Sequence, residues 1–185
     1  MQRCMESNKK MNLNKLKQVA ITASKKAGKY LNSQKDREKE ILSEIGRDIK
    51  LKIDQSTEKI IREELKQTKI EILGEEFGGS ATEGLHWVID PLDGTANYFR
   101  GLDQCCISIA LMEGKNGLIG VVNNFNTDEI YSAVKGSGAF LNDESIFVSN
   151  VGEKNKASIT TGFPASETIE SSMNFLEDLK GWKKV

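Results

Sequence analysis

The chain has 185 residues, 38% of them hydrophobic and 29% charged, which fits one soluble globular domain with a real core and leaves two independent domains cramped. Lysine and arginine total 26 against 27 aspartates and glutamates, so nothing in the charge balance points to nucleic acid or an anionic membrane as partner. Any phosphate chemistry must therefore come from a local site.

Three cysteines are present, and the neighbours Cys105 and Cys106 are poorly placed to bridge each other, so no disulfide framework is expected and a reducing cytoplasm fits best. Residues 1–10 are polar rather than an apolar leader, and no apolar run approaches membrane-spanning length. An amphipathic pattern opens at Met11. Residues 1–10 are accordingly read as an N-terminal extension, and 11–185 as one portion of a domain.

From Leu13, the apolar residues Leu16, Val19, Ala20, Ala23, Ala27 and Leu31 recur at three- and four-residue spacing, the period of one helix face. The run Gln34 to Lys52 is dense in charge, with Ile41, Leu42 and Ile45 as its main apolar residues, and is read as partly helical and partly mobile. Asp54-Gln-Ser-Thr-Glu58 precedes Ile60, Ile61 and Leu65, so small polar residues stand where a helix start needs acceptors, and a second helix is predicted to about Gln67. Short apolar runs follow at Ile70 to Leu73, Trp87 to Ile89, Cys106 to Met112, Leu118 to Val122, Ile130 to Val134 and Ile146 to Val148, which read as strands. The glycine- and asparagine-rich breaks between them are short, as neighbouring antiparallel strands require. A last helix is predicted from about Thr168 to Leu179. The fold class is α+β, helices first and then a mostly antiparallel sheet.

Acids are concentrated at the two ends of one stretch, Gly74-Glu75-Glu76 and Asp90-Pro91-Leu92-Asp93-Gly94-Thr95. Trp87 to Ile89 is apolar, so Asp90 sits where a strand leaves the core, and Pro91 argues against a continued central strand. An unbroken strand points Asp90 and Asp93 to opposite faces, whereas a turn converges them. Two close carboxylates repel each other and resist desolvation unless one is protonated or a cation is bound. Magnesium suits oxygen ligands and keeps several waters. For D-P-x-D-G taken alone, a solvated Asp-Gly turn with Asp90 as an ordinary cap stands beside the metal reading. His86, the sole histidine, lacks the partners of a zinc site and reads as structural, and Cys105 and Cys106 read as core residues. Tyr98 and Phe99 read as packing behind the site.

The run Trp87-Val-Ile-Asp-Pro-Leu-Asp-Gly-Thr-Ala-Asn-Tyr98 resembles the first signature of the inositol monophosphatase family, W-x-x-D-P-[IL]-D-G-T-x-N-[FY]. Gly74-Glu75-Glu76 resembles that family's G-E-E, and Asp48 to Asp54 resembles its D-x-x-T-x-x-D with Leu51 replacing the threonine. Gly136 to Asn142 resembles G-x-G-A-F-x-N-G, with Asp143 replacing the final glycine. The resemblance implies the first part of a layered α/β/α/β/α sugar-phosphatase fold.

It also implies a Mg2+-dependent phosphatase acting on a small phosphate ester. Glu75, Asp90, Thr95 and the Leu92 carbonyl are expected to hold one magnesium, with Asp90 and Asp93 sharing a second. Water is the implied nucleophile, polarised by Glu75 and oriented by Thr95, while the Gly94 and Thr95 amides face the phosphate. Asp54 is either close to this network or a helix cap, and both readings stand. Inositol monophosphate is the default substrate, with fructose 1,6-bisphosphate, histidinol phosphate and 3′-phosphoadenosine 5′-phosphate as alternatives. Full-length members form dimers, which implies a homodimer or a complementing chain; neither nucleic acid nor membrane is expected. The family's second signature, a W-D-x-A-A-G-like segment, is absent from these 185 residues. The C-terminal half of the domain is therefore expected to be missing, and a non-catalytic metal-binding or interaction fragment is the competing reading.

Overall fold

The computed structural model describes residues 12–45, 48–79, 83–161 and 168–184. The expected extension over 1–10, the opening at Met11 and the Gly162 to Pro164 segment lie outside them. Helix α1 spans Leu13–Gln34. Asn12 caps it by accepting the Lys15 amide at 3.1 Å, the role that favours asparagine at this position. Its inner face is made of small residues, with Ala20, Ala23, Ala27 and Leu31 fully buried. At Gly28 even a β-carbon would stand 2.7 Å from Cβ of Phe125, so the closeness of this helix to the sheet depends on glycine there. Asn123 and Asn32 tie the pair polar-to-polar, donating to the carbonyls of Ser24 and Phe125 at 2.9 and 2.8 Å.

The segment expected to be partly helical and mobile instead forms two strands, β1 (Ile41–Ile45) and β2 (Asp48–Leu51), paired as a two-stranded sheet. Its charges suggested a solvated helix, but backbone pairing is indifferent to side-chain charge, and periodicity has little to read in so short a run. Helix α2 (Lys52–Leu65) follows directly and buries Asp54, Thr57, Glu58, Ile61 and Leu65. Two of its buried residues are acids. Both belong to the site described below.

The main sheet contains β3 (Glu71–Gly74), β4 (Leu85–Asp93), β5 (Cys106–Glu113), β6 (Asn116–Asn124), β7 (Glu129–Val134), β8 (Ala139–Leu141) and β9 (Glu144–Ile146), in that spatial order. The β3–β4 pair is parallel and every other pair is antiparallel. Cross-strand rows build the core: Trp87, Leu111, Ile119 and Val134 stand in line, as do Ile89, Ile109, Val121 and Ser132. Because side chains alternate along a strand, both rows fall on one face, against which α1 and α2 pack. Two strand expectations need correction. The run Ile146 to Val148 is paired only to Ile146, and Phe147 and Val148 are almost fully exposed at 91% and 94%. Strand β8 was not expected; its three residues are too few to show a period.

The described residues of Met1–Ser43 and Ile49–Ile146 form one compact unit, and those of Glu44–Asp48 and Phe147–Val185 a second. In the second, helix α4 (Ile169–Asp178) is capped by Thr168, whose hydroxyl accepts the Ser171 amide at 3.2 Å. Ser158 pairs with Lys184, and the Lys154 ammonium lies over the Trp182 ring. Among the described residues no helix is long and apolar enough to cross a membrane.

Candidate active site

Strand β4 does not stop at Pro91, contrary to expectation; it runs on to Asp93. What changes is the register: Asp90 pairs with Ser108 and Asp93 with Cys106, so three steps along β4 answer two along β5. That extra residue is a bulge. Strand β3 has already ended opposite Ile89, so Pro91 lies where β4 has no partner on that side and its missing N–H costs nothing. The bend foreseen from the proline is thus delivered by a bulge within the strand. The Leu92 amide donates to Asp90 Oδ1 at 3.1 Å and the Thr95 hydroxyl donates to the Leu92 carbonyl at 2.9 Å, closing the segment on itself.

Gly94 has φ +88°, a left-handed conformation that favours glycine, and a β-carbon there would stand 2.7 Å from the Gln104 carbonyl. It caps the short helix α3 (Thr95–Phe99). Tyr98, on that helix, is buried and donates its hydroxyl to the Leu31 carbonyl at 2.8 Å; burial pushes its pKa up to about 12. It anchors α3 to α1. Phe99 packs partly buried against the same core. Both are packing residues, as expected.

The structure gathers the predicted acids from three separate elements. Burial is the main cause that lifts the Asp90 pKa from 3.8 to about 6, followed by the negative charge of Glu75, whose carboxyl lies within hydrogen-bonding reach, and then Asp93. Asp54 is lifted further, to about 7, again by burial first and then by Glu76, Glu75 and Asp90. Its Oδ2 accepts the Leu51 amide at 2.8 Å, while Oδ1 is buried with no hydrogen-bond partner among the described residues. Of the two readings left open for Asp54, the cap is seen in its bond to Leu51, and the acids Glu76, Glu75 and Asp90 are near enough for their charges to bear on it. Glu75 and Asp93 are exposed, Thr95 and Gly94 half-buried and Leu92 buried.

Every candidate donor in this set is oxygen. His86 is turned away, buried with Nδ1 3.0 Å from the Gly84 carbonyl. Cys105 is a core residue, but Cys106 is not fully one: it is half-buried, with Sγ 3.8 Å from Asp93 Oδ2. Burial and the adjacent Asp93 and Asp90 charges push its pKa up to about 11, which makes it a poor nucleophile or ligand. Among the described residues no group of three or more His, Cys, Asp or Glu side chains is placed to hold a metal ion by itself. A magnesium site does not need one, because the ion accepts carbonyl and hydroxyl oxygens and retains waters. The buried, unsatisfied Asp54 oxygen, the mutually repelling carboxylates and the all-oxygen donor set fit that ion.

Two residues outside the expected set complete the site. Glu58 on α2 is fully buried and accepts the Glu76 amide at 2.7 Å and the Phe77 amide at 3.3 Å. Arg62, one turn on, donates to Glu58 Oε1 at 2.7 Å. The signal was present in the sequence as an acid and a base four apart on a helix face shared with Asp54, Ile61 and Leu65. A cleft of about 380 Å³ borders the site at Asp93 and Gly94 and is lined further by Gln104, Cys106, Asn124 and Tyr131. A larger one of about 500 Å³, along α1, β6 and β7, holds none of the site's carboxylates.

The sequence pattern of the inositol monophosphatase family matches residues 12–184. Inositol monophosphatase 2 of Solanum lycopersicum is 37% identical over 151 residues, covering 77% of this chain and 57% of that protein. A protein of Xylella fastidiosa named Nus factor SuhB is 41% identical over 117 residues, covering 62% of this chain and 42% of its own length. The crystal structure of extragenic suppressor protein suhB from Bartonella henselae superposes with a TM-score of 0.84 at 29% identity, over 92% of this chain and 69% of that one. The chain thus spans about half the length of these two curated relatives. With its helices packed on a mostly antiparallel sheet and its signature residues drawn together, the chain belongs to the inositol monophosphatase family.

Proposed function

We propose that this chain carries the first part of a magnesium-dependent phosphomonoesterase site that hydrolyses a small polyol or sugar phosphate, with inositol monophosphate as the leading substrate. The observation that carries the reading is that Glu75 and Asp93 bear on Asp90, and Glu75 and Asp90 on Asp54, one oxygen of which is buried with no hydrogen-bond partner among the described residues. Above pH 7 such a cluster opposes folding unless a cation neutralises it, and below that it is relieved by protonation. Glu75, Asp90, Thr95 and the Leu92 carbonyl hold one ion in this reading, and Asp90 with Asp93 contributes to a second. Magnesium, when bound, supplies positive charge for the phosphate and leaving oxygen and a bound water of lowered pKa.

The protein's own groups have distinct tasks. Thr95, whose hydroxyl donates to the Leu92 carbonyl, would orient the nucleophilic water, and Glu75 would help polarise it. The Gly94 and Thr95 amides would face the phosphate oxygens. Asp54 completes the polar network at its buried end. No lysine or arginine is needed for binding the phosphate.

The test is phosphate release from inositol monophosphate, fructose 1,6-bisphosphate, histidinol phosphate and 3′-phosphoadenosine 5′-phosphate with saturating magnesium. It is run on the 185-residue chain and on any longer form from the same reading frame. We expect the short chain to be slow, because its sequence holds no W-D-x-A-A-G segment to complete the second ion's ligands. Loss of that stabilisation is worth on the order of several kcal/mol. Hydrolysis of none of these esters by any form would leave the competing reading, a metal-binding or interaction fragment, in its place.

A further inference from the structure

Helix α2 reaches the site twice. Asp54 lies within range of the Glu75, Glu76 and Asp90 charges, and one turn further along the same face Glu58 reaches the loop that carries Glu75. That loop is closed at its base, where Gly74 N–H donates to the Gly78 carbonyl at 3.0 Å, and Glu75, Glu76 and Phe77 form the turn between. Its amides do not complete their bonds within the loop. Glu76 and Phe77 donate instead to Glu58, whose two oxygens are thereby both used, Oε2 by Glu76 and Oε1 by Phe77 and Arg62.

Arg62 grips the same loop from outside. Its Nη2 donates to the Gly78 carbonyl at 2.6 Å and its Nη1 to the Ile72 carbonyl at 3.3 Å, so one guanidinium spans the strand entering the loop and the residue leaving it. Gly74 lies against this pair so closely that a β-carbon would stand 2.1 Å from Glu58 Oε1 and 2.8 Å from Arg62 Nη2. A side chain at the glycine before the two glutamates would have to displace the Glu58 carboxylate and the Arg62 guanidinium.

A buried ion pair is weak evidence for stability, since apolar residues of similar volume often replace one without loss. What an apolar pair cannot do is accept two loop amides and hold two carbonyls. We propose that Glu58, oriented by Arg62, is a positioning residue: it fixes the Gly74–Gly78 loop and so sets the Glu75 carboxylate beside Asp90. The functional consequence rests on the phosphatase reading above, while the geometric one stands alone.

The experiment uses the full chain with Glu58→Met and Arg62→Met together, a swap that keeps the packing volume and removes the anchor. Three quantities are read: melting temperature, amide hydrogen exchange at Glu76 and Phe77, and magnesium affinity by calorimetry. The expected result is a chain that still folds with a lowered melting temperature, with exchange at both amides faster and magnesium binding weaker, each by about tenfold or more. A folded double variant with unaltered exchange and affinity overturns the proposal and leaves the pair a packing element. If the double variant does not fold, Arg62→Lys decides, because it keeps a positive charge but loses the two-pronged reach to Ile72 and Gly78. Faster exchange at Glu76 and Phe77 in that variant supports the proposal, and unaltered exchange overturns it. Should the unaltered chain itself bind no magnesium, the metal reading fails separately, and the exchange rates still decide whether Glu58 holds the loop.

Discussion

Asp54 accepts the Leu51 amide through one carboxylate oxygen at 2.8 Å and keeps the other buried without a partner among the described residues. The two halves of this side chain can be tested apart. Asparagine retains an acceptor for Leu51 and removes the charge, while alanine removes both. Asp54→Ala is expected to destabilise the metal-free chain by ~1 kcal/mol, the usual value of a lost helix-start acceptor. Asp54→Asn should be neutral or stabilising without magnesium, yet gain less from added magnesium than the unaltered chain. Urea unfolding with and without magnesium checks both; equal magnesium gains in the two chains would reduce Asp54 to a cap.

The pH dependence of stability follows from the same cluster. Asp90 and Asp54 have folded pKa values of about 6 and about 7 against 3.8 for a free aspartate, so between these limits the native state binds more protons than the unfolded one. Stability then falls as pH rises. Their contribution is complete below pH 4 and is lost on passing through 6 and 7. The metal-free chain is expected to lose on the order of a few kcal/mol over this window, an upper bound because Asp90 is partly solvated. Magnesium should flatten the profile, since it favours the ionised forms. Unfolding midpoints at pH 4.5 and 7.5, with and without the ion, measure this, and a metal-free midpoint that rises with pH contradicts it.

Asp90→Asn should weaken magnesium binding more than Asp93→Asn, because Asp90 is half-buried beside Glu75 whereas Asp93 is exposed. A loss of about tenfold or more is expected for Asp90→Asn, in line with removing a charge-assisted contact. Calorimetric titration decides. Unaltered affinity in the Asp90 variant removes the metal reading of the site.

Thr95→Ala should lower turnover by about tenfold or more in the active assembly while changing the Michaelis constant little, since the proposed contact orients the attacking water and is realised in the transition state. The Leu92 carbonyl loses its 2.9 Å donor in this variant, so the melting temperature is read alongside. Unaltered turnover with a raised Michaelis constant would make Thr95 a ground-state phosphate contact.

By itself the sequence determined the long helix from Leu13, most of the strands, and the stretch in which the acids lie. These features are written in local patterns: the three-to-four spacing of alanines and leucines, the apolar runs bounded by glycine, and the proline between Asp90 and Asp93. Tertiary structure decided the rest. The charged segment before Lys52 became two strands because pairing depends on backbone partners that side-chain charge does not reveal. Strand β4 passed through Pro91 because β3 had ended opposite Ile89 and β5 could absorb the extra residue in a bulge. The double use of Asp54 and the grip of Glu58 and Arg62 on the Glu75 loop depend on where α2 lies against strands distant in sequence. A carboxylate four residues from an arginine reads as an ordinary surface pair until packing buries it beneath a glycine, and that burial is a property of the fold alone.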